Sequence, residues 1–503
     1  MIKKTVAVLL VLSMSFLLFS CEGNKEDVTT EPVDYVLPTE IIDADITLPY
    51  ISTDSFDPYT SKSSINRDLI CVIYESLYTV SDSGKGEPLL AESENTDGKT
   101  IMVKLNSKAK FSDGTAVTSN DVKTSFEKAK NNVYYKAQLS NIASVGTVDN
   151  TTVTFQLYNP DAMVLNTLDF PIVKLSGKTY VGSGKYKIEY LEKTPFLSVN
   201  INHRDYEKKW NKQIALYDMA GVSSPVYPFK SGSVSVYKQD LRDGDYINLS
   251  SQTVSEYMNN LVYVGVNSQW AGSITSRNWV RQVINIGINR TVIAASSYLG
   301  QGTPTVTPFK SGFYQLNYDN LPNVGGETEK AVAILERNGY TTVNSDGVRT
   351  DGNTALKLSI LVCSQNMYKL SVAEALKKSL EELGFGVTIT EKKTSEEFYE
   401  ALGKGHFNLY IGETELTANC DLSEFFTKDG VLNYGINEEF FQYYSLYKSG
   451  KDSSMTFVEN FSTEVPFVPL YYRKAIVCVN PNITGVGSGY ECYASVCDWK
   501  IKK

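Results

Sequence analysis

Short stretches of alternating apolar and polar residues mark the first 160 positions. Ile101, Val103 and Leu105 share one face, and Val153, Phe155 and Leu157 repeat the pattern after the turn residues Asp149-Asn150. A period of two predicts strands. Thr118 followed by Asp121 predicts a capped helix running through Ala129, because the hydroxyl takes an orphan N–H and the acid favours the positive helix end. Val280, Val283, Ile284, Gly287 and Ile288 fall at helical spacing and predict a longer helix whose last turn carries Arg290. From 354 the pattern becomes strand and helix in turn. Leu356, Leu358, Ile360 and Val362 alternate. Val372, Ala375, Leu376, Leu380 and Leu383 then follow at helical spacing, closed by Gly384, and Val387 and Ile389 alternate again. This order predicts a parallel strand pair with a right-handed crossover. A short helix from Ser395 to Leu402 and a strand from Phe407 to Ile411 complete an α/β second half, so a mixed α/β, multi-lobed fold is expected.

The hydrophobic run at the start is of another kind. Lys3 and Lys4 precede an apolar run from Val6 to Phe19 of about 14 residues, the size of a signal-peptide h-region. A membrane-spanning helix needs about 20. The run ends at Leu18-Phe19-Ser20-Cys21, which resembles a bacterial lipoprotein cleavage box with Cys21 as the lipidated residue. Residues 1–20 are therefore read as a lipoprotein signal peptide, and 21–34, polar and acidic, as a flexible tether. The protein is expected outside the cytoplasm, held on the membrane surface by its N-terminal lipid.

Composition narrows the function. The 503 residues carry 48 Lys+Arg against 57 Asp+Glu, a net charge of −9. Loss of residues 1–20 removes two lysines and no acid, leaving 46 against 57, or −11. That sign disfavours nucleic acid as a partner. The two histidines, His203 and His406, leave little room for a His-rich metal site. Six cysteines remain after Cys21: 71, 363, 420, 478, 492 and 497. Their spacing is not a zinc pattern. A bridge among Cys478, Cys492 and Cys497 and a set of buried free thiols both stand as readings.

Several motifs, in order, resemble those of the extracytoplasmic solute-binding proteins of ABC importers, in the peptide- and nickel-binding family (family 5) of oligopeptide and dipeptide receptors. They are Asp57-Pro58, Tyr74-Glu75-Ser76-Leu77, Pro88-Leu89-Leu90-Ala91-Glu92-Ser93, Asp97-Gly98-Lys99-Thr100, and the block Lys110-Phe111-Ser112-Asp113-Gly114-Thr115 with Thr118, Asp121-Val122 and Ser125. Gly182-Ser183-Gly184-Lys185-Tyr186, Val266-Asn267, Val280-Arg281-Gln282, Asn289-Arg290 and Pro466-Phe467-Val468-Pro469-Leu470-Tyr471 follow. The resemblance implies a two-lobed periplasmic-binding-protein-like fold (type II) with an extra domain inserted in the N-terminal lobe. Lobe one would be 35–265 plus 465–503, with the insert at about 55–175, and lobe two 268–462. The crossings would lie near Val266-Asn267 and Val465-Pro466.

A receptor of this kind needs no catalytic group and no cofactor. It buries a peptide or peptide-like ligand between lobes that close on it, and delivers it to an ABC permease and ATPase. A monomer suffices for this. Tyrosine suits such a cleft, and tyrosines outnumber phenylalanines 33 to 21. Tyr263, Asn267 and Trp270 are candidate ligand contacts on and just after the central crossing strand. By family position Ser52, Thr53 and Phe56 are candidates on lobe one, or else simply end a strand. In lobe two the family's Gly-Trp-acid loop corresponds to Gly412 onward. Glu413 stands at the Trp position, and Glu413 or Glu415 is a candidate for the peptide's amino end. Asp421 is either a ligand residue or a helix cap. Lys185 for Pro, and Ser235 for Asp, are further departures, pointing to a divergent subgroup with its own ligand.

Two alternatives accompany this reading. One is the same fold serving a nickel chelate or an oligosaccharide. The other is a secreted hydrolase built on paired carboxylates, for which Glu413 and Glu415, two apart, would share one face of a strand. No Gly-x-Ser-x-Gly elbow accompanies them.

Overall fold

In the computed structural model the described residues are 42–177, 179–243, 246–313 and 316–502. The expected leader, Cys21 and the acidic tether lie outside the described residues. Strand β1 (Thr47–Tyr50) opens the described chain. The stretch expected to be an insert forms its own four-stranded antiparallel sheet from β2 (Ala91–Thr96), β3 (Thr100–Leu105), β4 (Ile142–Asp149) and β5 (Thr152–Leu157), in the order β2-β3-β5-β4. The expected alternation holds: Ile101, Val103 and Leu105 are buried, while Met102 and Lys104 point to solvent. Helix α1 (Ser119–Ala129) packs Phe126 against Phe155 in this core. Its capping box is complete, with Thr118 and Asp121 each bonding the other's backbone N–H.

Strands β6 (Tyr186–Leu191), β7 (Thr194–Val199) and β8 (Gln213–Asp218) join β1 in a second sheet, with β1 parallel to β8. Leu48, Leu197 and Leu216 share a core there with Trp499 near the chain's end. The largest sheet of the described residues has seven strands. Its spine is β9 (Val236–Gln239) and the 15-residue β10 (Gln252–Val266).

Helix α2 (Asn278–Gly287) buries Val280, Val283, Ile284 and Gly287 as expected, but it does not reach Arg290. Ile288 turns extended, and the Asn289 side chain accepts the Val292 N–H, so Arg290 instead opens α3 (Arg290–Ala295). This restart lets the fully buried Arg290 donate to Pro469 O at 2.7 Å and Asn285 O at 2.9 Å. The expected strand–helix–strand unit is present: β11 (Lys357–Cys363) and β12 (Gly386–Lys392) are parallel, joined by α4 (Met367–Glu382). After α5 (Ser395–Gly403) comes β13, which spans Leu409–Glu415 rather than Phe407–Ile411. Its extension is paid out in ladder pairs, since it stays antiparallel to β10 from Val266↔Leu409 to Asn260↔Glu415. Three aromatic-rich helices follow, α6 (Ser423–Phe426), α7 (Glu439–Lys448) and α8 (Ser454–Glu464). Val465, in a left-handed conformation (φ 48°), then leads into β14 (Phe467–Val479).

The sheet order is β9-β14-β10-β13-β11-β12, with Gly302–Pro304 added beside β14. β10 and β14 are antiparallel from Gln252↔Val479 to Gly265↔Phe467, with register shifts between Tyr257 and Leu261 and between Val262 and Tyr263. Such bulges increase local twist and re-aim side chains. The upper part of β10 is buried on both faces. Val262, Val264 and Val266 meet the α2 and α4 side, while Leu261 and Tyr263 meet Phe425 and Phe467. Tyr263 stands opposite Gly412, and Gly265 opposite Tyr410. A methyl group at Gly265 would meet the Tyr410 ring at 1.8 Å, and one at Gly412 the Tyr263 ring at 2.3 Å. Each ring therefore covers the glycine facing it. The fold is mixed α/β, as expected from the sequence. The cysteines at 71, 363, 420, 478, 492 and 497 are all free, so the bridged reading of Cys478, Cys492 and Cys497 is excluded in favour of separate thiols.

Candidate ligand cleft

Three cavities compete for a ligand. One, of 770 Å³, is lined entirely from the β1–β8 sheet region and the insert. Its carboxylates are engaged locally. Asp54 accepts from Ser61 and from the Lys62 and Ser63 backbone, and Asp113 pairs with Lys174 at 2.8 Å. A second, of 310 Å³, lies in the α/β second half around Tyr263, Tyr399, Tyr410 and Tyr434. The third, of 430 Å³, is smaller than the first but is walled from both halves of the chain. Arg67–Tyr74, Asp169 and Tyr490–Tyr493 form one wall, Lys310, Glu415 and Ala418 the other, and Lys238, Glu256 and Asn259 the floor. Charge separates it from the others more than volume does.

At the floor, Lys238 Nζ sits 2.6 Å from Asp68 Oδ1 and 2.5 Å from Glu256 Oε1. Burial works against its charge, but the two carboxylates outweigh burial and hold Lys238 well above an ordinary lysine. Asp68 is pushed up to about 6, by burial first, against the pull of Lys238. Glu256 Oε2 also accepts the Cys492 N–H at 3.2 Å, tying the 490–493 segment to β10. Asp169 is pushed up to about 6 by burial, eased by its hydrogen bond from the Gln138 amide. Glu491 lines the cleft and is solvent-exposed. Its carboxyl is nevertheless pushed up to about 7 by the surrounding protein and then by Asp169 and Glu256. Across the cleft Lys310 is 7 % exposed, its Nζ 4.0 Å above the Tyr490 ring, and burial lowers it to about 8. The first wall and floor thus hold Asp68, Asp169, Glu256 and Glu491 against Arg67 and Lys238, a net −2 when all are ionised. On the second wall Glu415 is neutralised by Arg242 at 2.7 Å, leaving Lys310 as its charge.

The structure scatters the residues singled out from the sequence. Ser52 and Phe56 line the 770 Å³ cavity, with Phe56 stacked on Tyr50, and Thr53 is exposed beside them. Tyr263 and Glu413 line the 310 Å³ cavity instead. Glu413, 6 % exposed at its side chain, is held by Arg473 at 2.9 Å, the Tyr298 hydroxyl at 2.8 Å and the Asn260 amide at 3.1 Å. Asn267 is buried, donating to Gly405 O and accepting the Trp270 N–H, and Trp270 lies beside His406. Of the candidates only Glu415 lines the cleft.

Asp421 accepts the Ser423 N–H at 2.7 Å, in the manner of a cap, and pairs with Lys448 at 2.9 Å. Burial opposes its charge, but Lys448 and the Ser423 bonds prevail and hold it at about 2. Lys448 also reaches Asp161 at 2.9 Å, so this cluster ties the inserted region to α7. His203 is buried 3.3 Å from Glu75 Oε1, beside Trp210. Among the described residues no group of three or more His, Cys, Asp or Glu side chains is arranged to hold a metal ion.

Sequence reasoning missed Asp169, Lys238, Glu256, Lys310 and Glu491. They lie far apart along the chain and share no motif, and only the fold brings them to one cavity.

Comparison with known proteins bears on the family and the fold. The family model for bacterial extracellular solute-binding proteins, family 5 (middle), matches residues 85–424. The glutathione-binding protein GsiB of Escherichia coli (strain K12) is 22 % identical over 484 residues, covering 86 % of this chain and 89 % of its own. NikA from Brucella suis, in complex with Fe(III)-EDTA, superposes with a TM-score of 0.65 at 17 % identity, over 91 % of this chain and 100 % of its own. The periplasmic murein tripeptide-binding protein MppA, in its unliganded open form, gives 0.67 at 17 %, over 91 % and 98 %.

Proposed function

Since the chain belongs to the bacterial extracellular solute-binding proteins of family 5, we propose that it captures a peptide in the cleft between its two halves and delivers it to the permease and ATPase of an ABC importer. The observation that carries this reading is the 430 Å³ cavity itself, whose walls come from both halves of the chain and whose floor is the β9–β10 strand region. A polar solute held there is desolvated from both sides, and closure follows from tighter binding to the closed form. The proposed lobes are 35–265 with 465–503, and 268–462, the insert covering about 55–175. β10 and β14 lead to the proposed crossings near Val266-Asn267 and Val465-Pro466, and the register shift after Tyr257 lies beside Asn259 in the cleft lining. A bulge there lets the ladder twist without parting. The relatives named above are binding proteins, and the proposed receptor likewise performs no chemistry on its ligand.

The same proposal places the protein outside the cytoplasm, anchored through a lipid on Cys21 and working as a monomer. Among the described residues no helix is long and apolar enough to cross a membrane. The test is ligand extraction. Protein purified from its host, denatured and examined by mass spectrometry is expected to release short peptides. Release of sugars alone, with no thermal shift from a library of di- to pentapeptides and glutathione, would overturn the peptide assignment.

A further inference from the structure

We infer that the 770 Å³ cavity in the first half of the chain is a docking groove, in which an extended, basic segment of a partner protein adds as a further strand to β6. No residue of the second half lines this cavity. Movement of the second half leaves its walls in place, so what it holds stays attached while cargo enters and leaves the cleft. The inference is independent of what the cleft binds.

β6 is the last strand of its sheet, paired with β7 on one side and with no strand on the other among the described residues. Successive side chains of a strand point to opposite faces. Lys187, Ile188, Glu189 and Tyr190 nevertheless all line the cavity, so it runs along the free edge of β6. The turn to β7 is two residues long and is closed by the pair Leu191↔Thr194. Such a turn makes its closing pair a hydrogen-bonded one, and every second pair back along the ladder likewise. The Asn200 N–H donates to Lys185 O at 2.8 Å, in the same phase. The main-chain N–H and C=O of Ile188 and Tyr190 therefore point away from β7. The strand Thr179–Val181, which pairs only with Lys174–Ser176, lines the same cavity and adds a second free edge. An unpaired edge is a template for another chain.

The side chains favour a backbone over a small polar solute. Asp113 is paired with Lys174 at 2.8 Å and Glu189 with Lys187 at 2.5 Å, and Asp54 is filled by the Ser61 hydroxyl and two N–H groups. The hydrogen-bonding capacity left over lies mainly on the strand edges. β6 has six residues, about 20 Å of edge. Rings are available to alternate side chains of the occupant, since Tyr190 is 62 % exposed and Tyr50 and Phe56 stack at 5.9 Å. Charge sets the sign of the occupant. Among the described residues Asp54 and Asp57 have no basic partner, and against them stands only Lys193, a lining cation without an acid. The excess of negative charge calls for Lys or Arg on the docking segment.

The experiment uses the full-length protein and random segments of about eight residues, the length of β6 and its flanks, displayed between Gly-Ser spacers on a carrier protein. Retained segments are expected to carry Lys or Arg among alternating apolar residues. Resynthesised with N-methyl groups on every second amide, they should bind at least about tenfold more weakly in one phase and about equally well in the other. Ile188→Pro removes an outward N–H while the β6–β7 ladder keeps its bonds. It should weaken binding to the same extent, with circular dichroism checking the fold. Asp57→Asn should bind a retained segment and its basic-to-Met form alike. Segments retained by a protein that shows no thermal shift with di- to pentapeptides support the groove and count against peptide capture. Retention of no segment, loss in both N-methyl phases or in neither, or release of the segment when the cleft is saturated overturns the groove and leaves peptide capture standing. A dimer of the parent protein that Ile188→Pro dissolves would assign the edge to a second copy and overturn it as well.

Discussion

Arg473 gives the sharpest test of what Glu413 is for. Its side chain is fully buried on β14 and donates to Glu413 Oε1 at 2.9 Å and Asp240 Oδ1 at 2.5 Å. Arg473→Met keeps the volume and removes the charge. Breaking a buried pair from one side typically costs about 3–5 kcal/mol, because the remaining charge is stranded. Here Glu413 keeps the Tyr298 hydroxyl, the Asn260 amide and Lys369 at 3.7 Å. The expected cost therefore falls at the lower end, about 3 kcal/mol, a large part of a stability of about 5–15 kcal/mol. Adding Glu413→Gln removes the stranded charge and is expected to recover about 1–2 kcal/mol of it, within the range of coupling between contacting residues.

The pH dependence adds a signed check. In the parent protein burial opposes the Glu413 charge, but Arg473 and Lys369 prevail and hold its carboxyl below the usual range. Glu413 therefore contributes stability that is present above the unfolded pKa and lost as pH falls through the folded one. Without Arg473, burial wins and the folded pKa rises, so the variant loses stability as pH rises. The mutational cost should then be larger at pH 8 than at pH 4. Urea titration followed by far-ultraviolet circular dichroism reads each cost as a midpoint shift at constant slope. A cost under about 1 kcal/mol would refute the reasoning. So would a double variant no better than the single one, or a Glu413→Gln protein that is fully stable yet cannot bind ligand.

Other expectations follow from the same geometry. Gly412→Ala should cost about 1–3 kcal/mol by forcing its methyl into the Tyr263 ring, and should alter the near-ultraviolet tyrosine signal. Thr118→Ala should cost about 1 kcal/mol through loss of the capping box, with ligand affinity unchanged. Lys448→Met should strand Asp161 and Asp421 and loosen the inserted region, seen as faster amide exchange around residues 161–166.

Much of the fold could be read from residue order because single faces meet single cores. Ile101-Val103-Leu105 alternates because one side of β3 is solvated, and the α4 unit shows its period because α4 covers one side of the sheet. Arg290 defeated the same logic. Helical spacing continues through Ile288, and only a buried guanidinium seeking the Pro469 carbonyl explains why the helix stops and restarts. Tyr263 was misleading in a different way. Its place on the central strand is clear from the pattern, but alternation gives a face and not what the face meets. Here the face meets Gly412, Phe425 and the wall of the 310 Å³ cavity rather than the cleft between the halves. The cleft residues were hidden because Asp169, Lys310 and Glu491 lie in connections with no periodicity. Their relation exists only after the chain has crossed between its halves.

The acid-lined wall also governs thiol chemistry. Cys71 and Cys492 both line the cleft, and both are held far from ionisation, by burial first and then by neighbouring acids, Glu491 and Glu256 for Cys71 and Glu256 for Cys492. Alkylating reagents and oxidants attack the thiolate, so these sulfurs stay inert beside an open mouth, while Cys363, Cys420, Cys478 and Cys497 are shielded by burial. A single cysteine introduced on the exposed rim would then be the fast-reacting thiol among the described residues. A dye attached there would turn the closing of the cleft into an optical signal without any of the six described cysteines having to be removed.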